Sequence, residues 1–314
     1  MSSILSIVVP CFNEEASLPA FFGAFQAISE KLGERFSVDC DLILVNDGSS
    51  DDTLELLRGL ASQDSRVHYL SFSRNFGKEA AIYAGLQNAS GEYVVVMDAD
   101  LQHPPEMLEE MLQGIIDEGY DCVAARRSSR AGESALRSFF SRSFYRLINA
   151  ISPTKMVDGA TDFAMMRKQM VRAILSLPEV NRFSKGIYSW VGFETKWLPY
   201  ENIPRQAGQT TWSFRSLFLY SLQGILSFST APLAFASLCG LLLSGAAFFY
   251  ALLAMLPALI NGYPLDWLAV LICVICFLGG LQLFCLGILG QYLAKLYLEV
   301  KARPIFIVKE TNMP

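Results

Sequence analysis

This 314-residue chain is short of charge. Asp, Glu, Lys and Arg make up 18% of it, against about a quarter in an ordinary soluble domain. Between Ser216 and Ala294 a single charged residue, Asp266, interrupts 79 positions. With 52% apolar residues, disorder is excluded and a simple cytosolic globule is disfavoured. The net charge of −5 excludes nucleic-acid binding through bulk positive charge, and no nucleic-acid partner is expected. Histidine is nearly missing: His68 and His103 stand alone on different segments. His68 reads as a strand residue and His103 as a loop-packing residue. The seven cysteines are an odd number with no framework spacing, as in a reducing compartment. Cys273 and Cys276 have C-x-x-C spacing but no second pair or histidine, so they read as small apolar residues. A glycine-rich phosphate loop is also missing: neither G-x-x-x-x-G-K nor G-x-G-x-x-G occurs. Any diphosphate must then be held by a metal and basic side chains. No secretion signal is expected, because the first apolar run, Ile4–Val9, is six residues without a basic flank.

The remaining charge is unevenly placed. Residues 1–210 hold 47 of the 55 charged residues, so a polar domain precedes an apolar anchor. Ala231–Leu256 and Trp267–Ala294 are uncharged runs of 26 and 28 residues, each longer than the roughly 20 a spanning helix needs. Pro257–Asp266, with two prolines and a glycine, reads as the turn of a two-helix hairpin over 230–298. Arg205 and Arg215 precede the first span; Lys295, Lys301, Arg303 and Lys309 follow the second, and the turn has no basic residue. The positive-inside rule then puts both termini in the cytoplasm, with 299–314 as a cytoplasmic tail. Gly279-Gly280 and Gly287-x-x-Gly290 offer small faces on which the spans, or two copies of the chain, can pack.

Residues 4–125 alternate strand-like and helix-like patterns. Strands are expected at Ile4–Pro10, Asp41–Asn46, Val67–Phe72, Tyr93–Met97 and Asp121–Ala125. Helices are expected at Ala16–Lys31, Asp52–Gln63, Lys78–Asn88 and Pro105–Glu118. Such alternation predicts an α/β fold with a parallel sheet covered on both faces. Ligands bind such sheets beyond the carboxyl ends of the strands. Polar clusters follow three of those ends: Pro10–Glu15, Asn46–Thr53 and Asp98–His103. One such cluster would be ordinary turn and cap chemistry; three at one sheet edge make a site. Asp98-Ala99-Asp100 supplies two carboxylates two residues apart, and Gln102 adds an oxygen. Hard oxygen donors suit Mg2+ or Mn2+, which commonly share their shell with phosphates.

In the order IVVPCFNEE, VNDGSSDDT, RNFGKEAAIYAGL and MDADLQHPPE, the first 210 residues resemble the inverting, family 2 glycosyltransferases of the GT-A fold. With a hydrophobic C-terminal region the chain is similar to the polyprenyl-phosphate branch, which includes dolichyl-phosphate mannose synthases and bactoprenol glucosyltransferases. SKGIYSWVGF and PYENIPRQAGQTTWSF look most like the bacterial bactoprenol type. The resemblance implies a Rossmann-like, mostly parallel catalytic domain over 1–210. It implies nucleotide-sugar contacts at Pro10, Asn13, Glu14, Asp47 and Asp98, with Lys78 near that pocket, and a metal on Asp100 and Gln102. Asp162, before an aromatic residue in ATDFAMMRK, would act as base or position the acceptor; the alternative is an N-cap for the next helix. Lys78 has the alternative of a solvated helix N-terminus.

Ser134–Val157 carries Arg137, Arg142, Arg146 and Lys155 and no acid, with Phe140, Phe144 and Leu147 at helical spacing. This predicts a basic interfacial helix over 134–152; the alternative is a cytosolic helix with a solvated basic face. Arg137 and Ser141 match a spacing that grips the acceptor phosphate in the dolichyl branch, and Arg126 or Arg127 would assist. The loop after Arg127 departs from that branch in lacking a glycine run. Arg205 fits a loop that closes over both substrates, and 211–229 resembles a second interfacial helix.

The resemblance implies inverting transfer of one hexose, from UDP-glucose or else UDP-N-acetylglucosamine, to undecaprenyl phosphate at the bacterial inner membrane. A flippase would take the product onward for cell-surface modification. A processive synthase is disfavoured because no Arg-Trp pair exists in the chain. A membrane-anchored nucleotide-binding scaffold is the alternative of another class.

Overall fold

The computed structural model describes residues 3–128, 145–152, 154–177, 179–200, 229–236 and 267–313, with a few further positions between 143 and 249. Its centre is an eight-stranded sheet: β1 Ser3–Cys11, β2 Val38–Asn46, β3 Val67–Phe72, β4 Tyr93–Val96, β5 Cys122–Arg127, β6 Ala160–Arg167, β7 Thr195–Tyr200 and β8 Val308–Thr311, in the order β7-β5-β6-β4-β1-β2-β3-β8. The helices are α1 Leu18–Phe36, α2 Thr53–Gln63, α3 Lys78–Asn88, α4 Met107–Ile116, α5 Lys168–Leu175, α6 Ser184–Trp190 and α7 Trp267–Val300.

The strands are apolar at successive positions because both faces of the sheet are covered. Ile7, Leu42 and Leu44 face the core shared with α1 and α4, while Val8, Ile43 and Val45 face the core shared with α3 and α5. In α1, Leu18, Phe21, Phe22, Phe25, Ile28 and Leu32 recur at helical spacing and are buried. On the opposite face α3 sits close to the sheet: a Cβ at Gly85 would lie 2.1 Å from Val8 Cγ1. That seating holds Lys78, the first residue of α3, at the sheet edge.

The sheet is mostly parallel in its leading half, as expected, but β6 and β8 run antiparallel to their neighbours. β6 decides where the site lies. The tail after residue 298 carries β8, which pairs with β3. Glu310 on β8 accepts two hydrogen bonds from Arg58 (2.8 and 2.5 Å) and one from Tyr69 Oη (2.7 Å). Phe306 stacks on Phe72 with centroids 5.0 Å apart.

α7 is 34 residues long, about 51 Å at 1.5 Å per residue. Within it, Phe277–Val300 is long and apolar enough to cross a membrane. Its apolar side chains are exposed, Leu283 at 71%, and such a surface needs a non-aqueous neighbour. This one helix covers the run expected for the second arm of the hairpin; the two-helix hairpin itself is not shown among the described residues. In the run expected for the first arm, Ala231–Gly240 is a shorter apolar helix, and most of the remainder lies outside the described residues. Tyr292 Oη donates to Ser229 O at 2.6 Å, which ties the foot of that arm to α7. The basic interfacial helix is described only in part, with 145–151 helical and Leu147 exposed; the second, 211–229, falls almost wholly outside the described residues.

Candidate active site

The three polar clusters meet, as predicted, beyond the carboxyl ends of β1, β2 and β4. The first two interlock. Asn13 N–H donates to Ser49 Oγ (3.0 Å), Ser50 N–H to Asn13 Oδ1 (2.9 Å), and Glu14 N–H to Thr53 Oγ1 (2.9 Å). Asn13 adopts φ 56°, a left-handed conformation asparagine accepts more readily than most residues. Pro10 and Glu14 are half-buried beside it.

Asp47 is 2% exposed, and its carboxylate accepts from the N–H groups of Phe76 (2.6 Å) and Gly77 (2.9 Å). It holds the turn that starts α3, rather than presenting a free carboxylate to a ligand. The neighbouring Gly48 allows this approach. At φ 66° a Cβ there would lie 2.4 Å from the Arg74 carbonyl carbon. Gly48→Ala is therefore expected to force the 74–77 turn outward at a cost of about 1–3 kcal/mol. A lower melting temperature in thermal melts is the expected reading.

The third cluster gains a partner that spacing along the chain does not show. β4 and β6 pair Val96 with Ala164. Two residues further along that antiparallel register, Asp98 stands beside Asp162. Asp162 lies within β6, so it is not a helix cap. Lys78 Nζ bridges the two carboxylates, 2.7 Å from Asp98 Oδ1 and 3.0 Å from Asp162 Oδ2; it is not a solvated helix end. Burial works against ionisation of Asp162, but Lys78, with Lys185, outweighs it and holds its pKa down to about 2. Asp98 is shifted down likewise, Lys78 overcoming burial. Burial also opposes the Lys78 charge, and the two carboxylates reverse that and raise it. Asp162 Oδ1 is buried without a hydrogen-bond partner among the described residues, an acceptor left unsatisfied at this site.

Asp100 is buried, and its Oδ1 accepts the Gln102 N–H at 3.1 Å. Asp100 and the Gln102 side-chain oxygen are hard donors of the kind Mg2+ or Mn2+ takes. Among the described residues no three His, Cys, Asp or Glu side chains form a closed metal cage. A partial protein shell fits a cation that completes its coordination on water and substrate phosphates. Asp98, engaged by Lys78, flanks this pair. His103 is packed against Phe163 and Tyr200 (centroids 4.9 and 5.3 Å), and burial lowers its pKa. It is a packing residue, as read from the sequence, and His68 lies in β3.

Of the residues expected at the acceptor, Arg126 is exposed at the end of β5, its Nε 3.0 Å from Asp158 O. Arg127 Nε lies 3.4 Å from Tyr200 Oη. Arg137, Ser141 and Arg205 lie outside the described residues. The sequence reading missed Glu79 and Lys185. Glu79 accepts from Ser184 N–H at 3.0 Å, and Lys185 contributes charge at Asp162. Both belong to segments quoted for their resemblance; Glu79 follows Lys78 on α3, and the packing of α6 against β6 brings Lys185 to the site.

The family description "Glycosyl transferase family 2" matches residues 6–175, from β1 through Asp162 to the end of α5. The chain belongs to the family 2 glycosyltransferases. This glycosyltransferase is 42% identical, over 99% of its length and 93% of the relative's, to CsbB of Bacillus subtilis (strain 168), a protein named only provisionally as a glycosyltransferase. It is 38% identical to the SfII prophage-derived bactoprenol glucosyl transferase of Shigella flexneri, covering 98% of each chain. Among solved structures, the glucosyl-3-phosphoglycerate synthase of Mycobacterium tuberculosis aligns with 71% of this glycosyltransferase and 78% of its own chain, at TM-score 0.46 and 21% identity.

Proposed function

We propose that this glycosyltransferase moves one glucose from UDP-glucose to undecaprenyl phosphate, with inversion, at the cytoplasmic leaflet of a bacterial inner membrane. The observation that carries the reading is the reach of the likeness. Relatives named bactoprenol glucosyl transferase match 97–98% of the chain at 38% identity, through the apolar region as well as the catalytic domain. An acceptor buried in lipid is a reason for a catalytic domain to carry an exposed apolar helix. In this reading residues 1–210 and 299–314 are cytoplasmic and 230–298 span the membrane twice. The product passes to a flippase, and pairing of copies uses the small-residue faces of the spans.

The acceptor chemistry explains the carboxylates. A phosphate monoester, with a second pKa near 6, is largely ionised at pH 7. It is already a nucleophile and needs positioning more than deprotonation. A carboxylate held at a pKa of about 2 is a weak base at neutral pH. Asp162 therefore positions rather than deprotonates: Lys78 fixes one oxygen, and the other accepts a sugar hydroxyl. Lys78 also offsets the two carboxylates, so an anionic donor and an anionic acceptor can approach. Asn13, Glu14 and Pro10 border the nucleotide, and Asp47 shapes its pocket through the 76–77 turn. Mg2+ or Mn2+ on Asp100 and Gln102 would supply Lewis-acid stabilisation of charge on the departing diphosphate. Arg126, Arg137, Ser141 and Arg205 grip the acceptor phosphate, where guanidinium forks suit the anion.

Arg137→Ala is expected to raise the KM for undecaprenyl phosphate by about tenfold or more, the worth of a charge-assisted contact. The KM for UDP-glucose should stay within about twofold, because the variant removes a contact to the acceptor alone. Steady-state kinetics with each substrate varied in turn reads this directly. The function itself is tested with the full chain in nanodiscs, given undecaprenyl phosphate, Mg2+ or Mn2+, and UDP-glucose, UDP-N-acetylglucosamine or a GDP-sugar. Mass spectrometry of the lipid should show a single-hexose product with UDP-glucose. Product only with another donor would change the sugar. UDP binding without product from any donor would sink the transfer reading in favour of a scaffold.

A further inference from the structure

The end of α7 reaches the site through contacts the reaction chemistry does not use. Glu299 lies in the last turn of α7, where a carboxylate opposes the helix dipole. Its oxygens are taken up elsewhere: Val180 N–H lies 3.0 Å from each, and Asn181 N–H lies 3.0 Å from Oε1. The turn so captured continues through Arg182. That guanidinium is 4% exposed, donates to Leu177 O (2.9 Å) and Ile174 O (3.1 Å), and lies 4.4 Å over the Tyr83 ring. The turn enters α6 at Ser184, whose N–H and Oγ both donate to Glu79. Glu79 follows Lys78 in the chain, and Lys185 follows Ser184. Hydrogen bonds at its two ends and the chain between them thus connect the foot of the apolar helix to the residues next to both cations at Asp162.

We propose that Glu299 is a positioning residue: by docking the foot of the membrane helix onto the 180–183 turn, it sets α6, and with it Lys185 and Glu79, against the Lys78–Asp162 pair. The inference rests on the transfer reaction proposed above. Its consequence is that the apolar helix does more than hold the enzyme near its lipid; it fixes the register of one wall of the active site.

The test uses the full chain in nanodiscs with UDP-glucose and two acceptors, undecaprenyl phosphate and a short, water-soluble isoprenyl phosphate. Glu299→Ala should lower kcat about 10–100-fold with both acceptors, the loss expected from a slight misplacement of reacting groups. It should leave the KM for UDP-glucose within about twofold, since donor contacts are untouched. Glu299→Gln keeps a carbonyl oxygen for the two N–H groups and should recover most of kcat. Wild-type kcat in Glu299→Ala would overturn the proposal. So would a loss confined to undecaprenyl phosphate, which would mean the residue only holds the domain at the membrane, and so would equal losses in the Ala and Gln variants. If Glu299→Ala does not fold, Glu299→Asp, which withdraws the carboxylate by one methylene, must show the kcat loss; unchanged kcat there overturns it as well. Absence of product from the wild-type chain in the same assay would instead mark failure of the transfer reading itself.

Discussion

Replacing Lys78 with methionine is expected to lower the transfer rate about a hundredfold or more, because the group that aims Asp162 at the acceptor is lost. Among the described residues the ammonium is the group that bridges Asp98 and Asp162, at 2.7 and 3.0 Å. Without it two carboxylates face each other at a site that, in the proposed reaction, must also admit a diphosphate and a lipid phosphate. Methionine keeps the length of the side chain, so packing at the start of α3 is preserved and the effect isolates the charge. Lys78→Arg, too wide to bridge both oxygens in the same way, should restore little activity.

The same variant has a signature in stability against pH. Asp162 is held at about 2 in the folded protein, below the roughly 3.9 of a free aspartate. A depressed carboxylate stabilises the fold fully above the unfolded value and loses that contribution as pH falls through the folded one. The stability gap between wild type and Lys78→Met should therefore be present at pH 7 and close as pH falls from about 4 toward 2, over the interval set by these two values. Thermal melts across that range read it. A gap that widens with acid would show that Lys78 does not hold Asp162 ionised.

Asp100→Asn is expected to reduce transfer by about a thousandfold, the kinetic equivalent of several kcal/mol of lost charge stabilisation at the leaving group. The choice of asparagine matters. Asp100 Oδ1 accepts the Gln102 N–H, and an amide oxygen can still do so, whereas alanine would also leave that donor unpaired at a cost of about 1–3 kcal/mol. The variant should melt like wild type and stay with the membrane fraction while losing its response to added Mg2+ or Mn2+. Near-full activity in Asp100→Asn would remove this carboxylate from the metal site.

Much of the catalytic domain was legible in the chain. The strand runs of β1 to β5 and their helices lie within a few residues of their expected places, because a sheet buried on both faces needs continuous apolar strands and amphipathic covers. The polar ends of β1, β2 and β4 were legible as a site for the same reason: parallel strands deliver their carboxyl ends to one edge. That placed Asp98, Asp100 and Gln102 at the site edge, while their division between nucleotide and metal came from the family resemblance. The exposed apolar stretch that forms α7 was equally plain, since about twenty uncharged residues have few other uses.

Three things were decided only in the tertiary structure. β6 runs antiparallel to β4, and it is this reversal that sets Asp162 beside Asp98 across 64 residues of sequence; no local pattern announces a strand direction. Lys78, at a helix start, is assigned its work by the two carboxylates that converge on it. The C-terminal segment, read as a tail, returns to the sheet as β8 and ties α7 to the domain through Glu310 and Glu299. The chain by itself determined which chemistry was available, because residue types and strand ends are local properties. Which groups meet depended on strand direction and on contacts between segments far apart in sequence, and those are set only when the sheet closes and the helices pack.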